Sequence, residues 1–332
     1  MTTRDSRRLS ICLLTDQDLD ADPFPSNDWP CDPRPFLPNA EWHLAVLEKR
    51  TAVRTIKRLA KNGFDVFFNL CDGAADEDVP GIEVTRALER LGVPFTGASS
   101  VFYEPSRVTM KRVCRRIGIE TPAHVMARSE DDVARAAERL RFPLFVKHHS
   151  SYASIDLSRA SRVVTPAGLR RQARKIMSRH GKALIEEFIE GSECTVLVCE
   201  NPNDARRPTT YTPIEYIFPD GESFKHSDMK WVDYAGMHER PVADAKLARR
   251  LRRDAARIFV GLQGAGFGRC DFRVNADGVP FLLEINANCG IYYPKADAGG
   301  ADTCLLHSPG GHAAFTEQLV AAALKRVSKR RR

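Results

Sequence analysis

The stretch from Gly268 to Gly290, GRCDFRVNADGVPFLLEINANCG, constrains this chain more than any other. It reads as a β-hairpin. With Asp277-Gly278 as a two-residue turn of the primed type, Ala276 faces Val279, Asp271 faces Glu284 and Arg269 faces Asn286. Alternation sends those last four side chains to one face, and Cys270, Phe272, Val274, Phe281, Leu283 and Ile285 to an apolar one. One face is core, so the other is chemistry or solvent. Carboxylates paired across two strands lie about 5 Å apart and repel by about 3 kcal/mol at an effective dielectric near ~20. A cation therefore belongs beside them. Arg269 can supply part of that charge, and the oxygens of Asp, Glu and Asn suit a hard ion such as Mg²⁺. A wet face with Arg269 neutralising one acid fits the same pattern.

With 332 residues, 43% of them apolar and 28% charged, the chain is long enough for two or three compact units. No apolar run approaches a membrane span, and the opening MTTRDSRRLSICLLTDQD is too briefly apolar for a secretory signal. Nine cysteines without a CxxC pair point to reduced thiols in a cytoplasmic protein. The net charge of +7 favours anionic ligands, but much of the excess sits in the closing KRVSKRRR. No aromatic residue there can stack a base, so the tail reads as a solvated helix end, and nucleic acid is not expected as a partner.

Strands and helices alternate along the chain. A strand at 9–14 leads into LDADPFPSNDWPCDPRPFLPN, a Pro-rich loop or lid. A helix over 40–61, a buried strand at 64–70 and a helix at 81–92 complete a parallel α/β unit over 1–104. A second unit, 105–190, holds a helix at 105–117, a strand at 143–148, a helix at 166–180 and a strand at 183–189. A third, 191–325, has strands at 193–199 and 209–217, an irregular stretch at 218–240, a helix at 241–264, the hairpin and a helix at 312–327; a basic tail, 326–332, closes the chain. In FPLFVKHH, Lys147 ends a buried run, where an ammonium either meets an anion or snorkels out. In ALIEEFIEGSECTVLV, the acids Glu186, Glu187 and Glu193 hold ribose hydroxyls or a metal, or form a solvated strand end.

The order FPLFVK, LIEEFIEGSE and then the hairpin resembles the ATP-grasp fold, nearest to D-alanine–D-alanine ligases and related carboxylate-amine ligases. The resemblance runs over roughly residues 60–320 and takes in GVPFTGAS and TMKRVCRRIGIETP. It implies a parallel α/β amino-terminal domain, a small central α+β domain and a larger carboxy-terminal one, with ATP between the last two. It also implies Mg²⁺, or Mn²⁺ in its place, on Asp271, Glu284 and Asn286. Lys147 would contact ATP phosphate, Glu186, Phe188 and Ile189 the adenine end, and Glu193 the ribose. Lys230 matches the lysine of a loop that closes over ATP, Ser154 aligns with a family serine, and either Arg107 or Lys111 takes a further phosphate-binding position. Arg269 and the Gly290 N–H would hold the oxyanion of a tetrahedral intermediate.

Three stretches depart from the family. HHSSYASIDLSR after Lys147 lacks the glycines of a phosphate loop, TDQDLDADPFP replaces a glycine-rich turn and glutamate, and GIYYPKADAGGADTCLLHSPGGH replaces a serine-rich substrate loop. The family alignment places Lys295 where a serine holds the second amino acid's carboxylate, while Tyr292 and Tyr293 either face a larger, flatter substrate or pack the loop. The expectation is an ADP-forming, ATP-dependent ligase that joins amino-acid-like carboxylate and amine substrates without D-alanine specificity; the sequence does not fix its oligomeric state, and the resemblance allows a homodimer. Alternatives are a ligase that attaches an amino acid to a larger specialised metabolite, and an ATP-binding regulatory or RNA-binding protein without turnover.

Overall fold

The computed structural model describes residues 8–26, 28–74, 77–149, 157–224 and 236–330; Ser154 and Lys230 lie outside the described residues. The amino-terminal sheet is parallel, in the order β2-β1-β3, from β1 (Ser10–Thr15), β2 (Glu41–Val46) and β3 (Val66–Asn69). Helices α1 (Ala52–Leu59) and α2 (Ile82–Leu91) cover one side through Ile56, Val84 and Leu88. The expected helix over 40–61 is thus a strand followed by a shorter helix. The helix formers in AEWHLAVLEKR hide an alternation, in which Trp42 and Leu44 turn to one core and Ala45 to another, and pairing with β1 overrides propensity.

The Pro-rich segment between β1 and β2 is packed against the rest of the molecule. Arg34 binds Asp20 at 2.7 Å and Asp32 at 3.0 Å, and Phe36 stacks on His312 with centroids 4.8 Å apart.

Helix α3 (Arg107–Ile117) precedes an antiparallel sheet of order β4-β7-β5-β6. Its strands are β4 (His124–Ala127), β5 (Leu144–His148), β6 (Arg162–Val163) and β7 (Ala183–Glu187). Helices α4 (Glu130–Arg139) and α5 (Pro166–His180) bury Val133, Leu169 and Ile176 against it.

The third sheet runs β11-β10-β8-β12-β13, with β9 on β8. It comprises β8 (Ser192–Cys199), β9 (Thr209–Thr210), β10 (Ile214–Ile217), β11 (His238–Pro241), β12 (Phe267–Val274) and β13 (Pro280–Ala287). The expected strand at 209–217 breaks before Pro213, which has no N–H to donate. Strand β11, HERP, lies in the stretch read as irregular because it has no buried apolar residue to announce it. Helix α6 (Ala245–Gly261) packs against β8 and against α3, with Ile258 and Phe259 in one core with Met110 and Cys114. Helices α7 (Gly300–Leu306) and α8 (Gly311–Arg330) close the far side. The basic tail is therefore helical to Arg330, and Arg326 donates to Phe95 O at 2.6 Å and Gly97 O at 3.2 Å instead of standing in solvent. No helix among the described residues is long and apolar enough to cross a membrane.

The hairpin pairs as expected where it carries the polar residues, with Arg269 opposite Asn286 and Asp271 opposite Glu284. Its turn differs. Asn275 pairs with Val279, Gly278 takes φ 70°, and the Asn275 side chain accepts the N–H groups of Asp277 at 3.1 Å and Val279 at 2.8 Å. That turn shifts the register by one, and a bulge between Asp271 and Phe272 restores it. Leu282, not Leu283 or Phe281, consequently enters the core, and Leu283 turns to the opposite face.

Candidate active site

A cavity of about 530 Å³ is lined by β5, β7, β8, the β12-β13 hairpin and the loop after it. Along β5, alternation buries Leu144 and Val146 in the sheet's core and sends Phe145 and Lys147 to the cavity. Lys147 does meet an anion: its Nζ lies 2.6 Å from Glu186 Oε2. Lys111 Nζ lies 2.7 Å from Glu186 Oε1 and donates to Pro122 O at 3.0 Å. Burial alone would raise the Glu186 carboxyl, but the ammonium groups of Lys111 and Lys147 outweigh it and hold it well below the usual carboxylate range. Two cations on one anion leave a net positive charge at the cavity wall. Of the two candidates on α3, Arg107 lines the cavity and Lys111 is not among the lining residues. Arg107 Nη1 donates to His148 O at 3.1 Å, and Nη2 pairs with Glu284.

Each hairpin carboxylate has its own guanidinium. Arg269 grips Asp271 through Nε and Nη2, both at 2.9 Å, while Thr195 Oγ1 at 2.7 Å and Asn286 Nδ2 at 2.9 Å complete its shell. Glu284 has Arg107. Asp271, Glu284 and Asn286 all line the cavity, and no group of three His, Cys, Asp or Glu suited to a metal occurs among the described residues. Two carboxylates with one amide fit a hard cation that completes its shell with water and phosphate oxygens.

Toward the hairpin tip the lining becomes aromatic. Phe188 stacks near Phe145 at 5.9 Å, with Phe224 edge-on to Phe145 at 5.0 Å and Leu283 and Ile189 beside them in the wall. The Arg273 guanidinium lies 4.7 Å from the Phe188 centroid. It donates to Ile189 O at 2.9 Å, Gly191 O at 2.8 Å and Ser223 O, and reaches Glu193 at 3.5 Å. Sequence reasoning missed Arg273, although its place two residues after Asp271 on the polar face was a readable signal.

At the opposite end the substrate expectations change. Tyr293 lines the cavity above Gly290, where a Cβ would come within 2.4 Å of its Oη. Tyr292 does not face the cavity: it is 3% exposed, tilted against Phe36, Phe68 and Phe315, with its hydroxyl 2.9 Å from Thr316 Oγ1. Lys295 is exposed on the turn Lys295–Asp297, and its neighbours Ala296 and Asp297 line the wall instead. Trp29, from the Pro-rich segment, joins the lining unannounced, because nothing in the local sequence says what a loop tryptophan covers.

The family model described as "D-ala D-ala ligase C-terminus" matches residues 113–293. A D-alanine–D-alanine ligase of Delftia acidovorans is 32% identical over 246 residues, 72% of each chain. One of Laribacter hongkongensis is 31% identical over 247 residues, 72% of this chain and 74% of that protein. Among solved structures, the D-alanine–D-alanine ligase of Bacillus anthracis complexed with ATP superposes with a TM-score of 0.69 at 18% identity, covering 98% of this chain and all of that one. A D-Ala:D-Ser ligase of Enterococcus faecalis gives 0.68 at 14%, covering 96% of this chain and 100% of its own. The parallel amino-terminal sheet and the two antiparallel sheets around the cavity are thus those of the ATP-grasp fold. The chain belongs to the D-alanine–D-alanine ligase family.

Proposed function

We propose that the cavity is the active site of an ADP-forming, ATP-dependent ligase that activates a carboxylate as its acylphosphate and joins it to an amine. The observation that carries this reading is one wall holding the Lys147–Glu186 pair, backed by Lys111, together with the Arg107–Glu284 pair and the Arg269–Asp271 pair. We divide the chain into an amino-terminal unit, 1–104, a central unit, 105–190, and a carboxy-terminal unit, 191–325, with ATP between the last two. The adenine sits against Phe188, Ile189 and Leu283, and Glu193 takes the ribose. Asp271, Glu284 and Asn286 hold Mg²⁺, which when bound neutralises phosphate charge and orients the transfer.

Lys147 and Arg107 stabilise negative charge on the migrating phosphoryl group, joined by Ser154 and Lys230 from the segments outside the described residues. The substrate carboxylate attacks the γ-phosphorus and ADP leaves; the amine then attacks the acyl carbon and phosphate leaves. Arg269 and the Gly290 N–H receive the oxyanion between those last two events. The relatives named above are D-alanine–D-alanine ligases; here the loop that would select the substrates is rewritten, and we assign amino-acid-like substrates without D-alanine specificity. A cytoplasmic site of action fits nine free thiols. The test supplies amino acids singly and in pairs, follows ADP and phosphate, and detects products by mass. Carboxylate ¹⁸O must appear in the released phosphate. AMP as the nucleotide product would overturn the assignment.

A further inference from the structure

The hairpin arranges the cavity along its length. From tip to end, the wall passes from Arg273 and Leu283 beside the Phe188 cluster, through Asp271 and Glu284, to Arg269 and Asn286, and then to Gly290 under Tyr293. Strands rise about 3.3 Å per residue, so Tyr293 lies well beyond the aromatic end given to adenine.

Two devices aim aromatic rings at this second end. Tyr292 holds φ 69°, a left-handed conformation that a bulky residue adopts only when its surroundings impose it. Its N–H donates at 2.7 Å to Oδ1 of Asp302, whose other oxygen accepts Gly299 N at 3.3 Å, so one buried carboxylate ties both ends of the loop. His312 Nε2, 2.8 Å from Asp302, completes the tie. The turn at Tyr292 buries its own ring and leaves Tyr293 over Gly290 in the cavity.

The second device is Gln17. Its Nε2 donates to Trp29 O at 2.9 Å and Asp28 at 3.0 Å, while its Oε1 accepts Cys31 N at 3.1 Å. The backbone around Trp29 is pinned on both sides, yet the residue is 40% exposed and lines the cavity. Trp29 and Tyr293 thus line the same cavity from two different segments of the chain. A pinned backbone that offers an unburied aromatic face to a cavity is the arrangement that recognises flat or apolar ligand groups.

Resting on the ligase reading, we propose that Trp29 and Tyr293 form an aromatic jaw that selects an amino-acid substrate with an aromatic or similarly bulky apolar side chain over alanine. The experiment measures kcat and KM for alanine, serine, leucine, phenylalanine and tryptophan of both chiralities, with ADP release and product mass as readouts. The wild type favours the bulky substrates by about tenfold or more in kcat/KM. Trp29→Ala and Tyr293→Leu each erase most of that preference through KM, with KM for ATP unchanged, and Tyr293→Phe keeps it. Thermal melting of each variant confirms that it folds. A wild type that prefers alanine, or variants that lower kcat for all substrates in parallel, would overturn the jaw while the ligase reading stands. AMP as product, or no amide from any pair, removes the ligase reading itself and the jaw with it.

Discussion

Glu186 carries two ammonium groups on one carboxylate, so its replacement exposes the balance of charge at the site. In Glu186→Gln, Lys111 and Lys147 face each other without their shared anion, a loss of about 3 to 5 kcal/mol for a buried pair broken on one side. Because the folded carboxyl titrates below its unfolded value, the native stabilisation is fully present above about pH 4.3 and fades as pH falls further. Urea melts from pH 7 to pH 3 should show the gap between wild type and variant constant at first and then narrowing; a gap that widens on acidification would reject the assignment.

Asp271→Asn and Glu284→Gln test a different balance. Both variants should stay folded, since each keeps its shape beside a hydrogen-bonding neighbour, while ATP turnover falls by about two orders of magnitude or more. Near-normal ADP release from both would remove the metal assignment. At this scale, residues whose chemistry is costly without a partner were legible: Lys147 at the end of a buried run, and two acids facing across a strand pair. Tyr292 and Lys295 were not. Whether a loop side chain turns inward depends on a single backbone angle at Tyr292 and on distant Asp302, neither of which leaves a local pattern.

At the scale of elements, the hairpin shows how a register survives a mistaken turn. The alternation of Arg269, Asp271, Glu284 and Asn286 was readable from the sequence, but the loop and the bulge exchange one residue between them, and Leu282 and Leu283 record it by changing faces. Asn275 organises that loop by accepting two backbone N–H groups. Asn275→Ala should therefore cost about 1 to 2 kcal/mol in a denaturant melt and leave KM for ATP unchanged, because the end that carries Asp271 and Arg269 is fixed by its own pairing to β8. A large rise in that KM would show that the turn sets the site. Strand β2 was hidden for a related reason. Its helix-forming residues carry their alternation only in Trp42, Leu44 and Ala45, and the parallel edge of β1 decides the outcome.

Over the whole molecule, the amino-terminal unit is held to the rest by backbone proximity as well as by side chains. Gly266 has φ 69°, and a Cβ there would lie 2.3 Å from the carbonyl carbon and oxygen of Gly97. Ala98 N donates to Asn288 Oδ1 at 2.8 Å, and Arg326 covers Phe95 with its guanidinium 4.9 Å from the ring centroid. Gly266→Ala should accordingly destabilise by about 3 kcal/mol or more, since both strain and collision are backbone effects that no rotamer relieves. A melting temperature within a degree or two of wild type would show that the two segments separate easily. The separation of partners in sequence also orders events on the ribosome. The Lys111–Glu186–Lys147 trio is complete before the hairpin has been translated, so its cations wait for a counter-charge only as far as Glu186, whereas Arg107 is made 177 residues ahead of Glu284. A nascent chain thus settles the charges of one half of the cavity wall while the guanidinium of the other half stays in water until the last sheet closes.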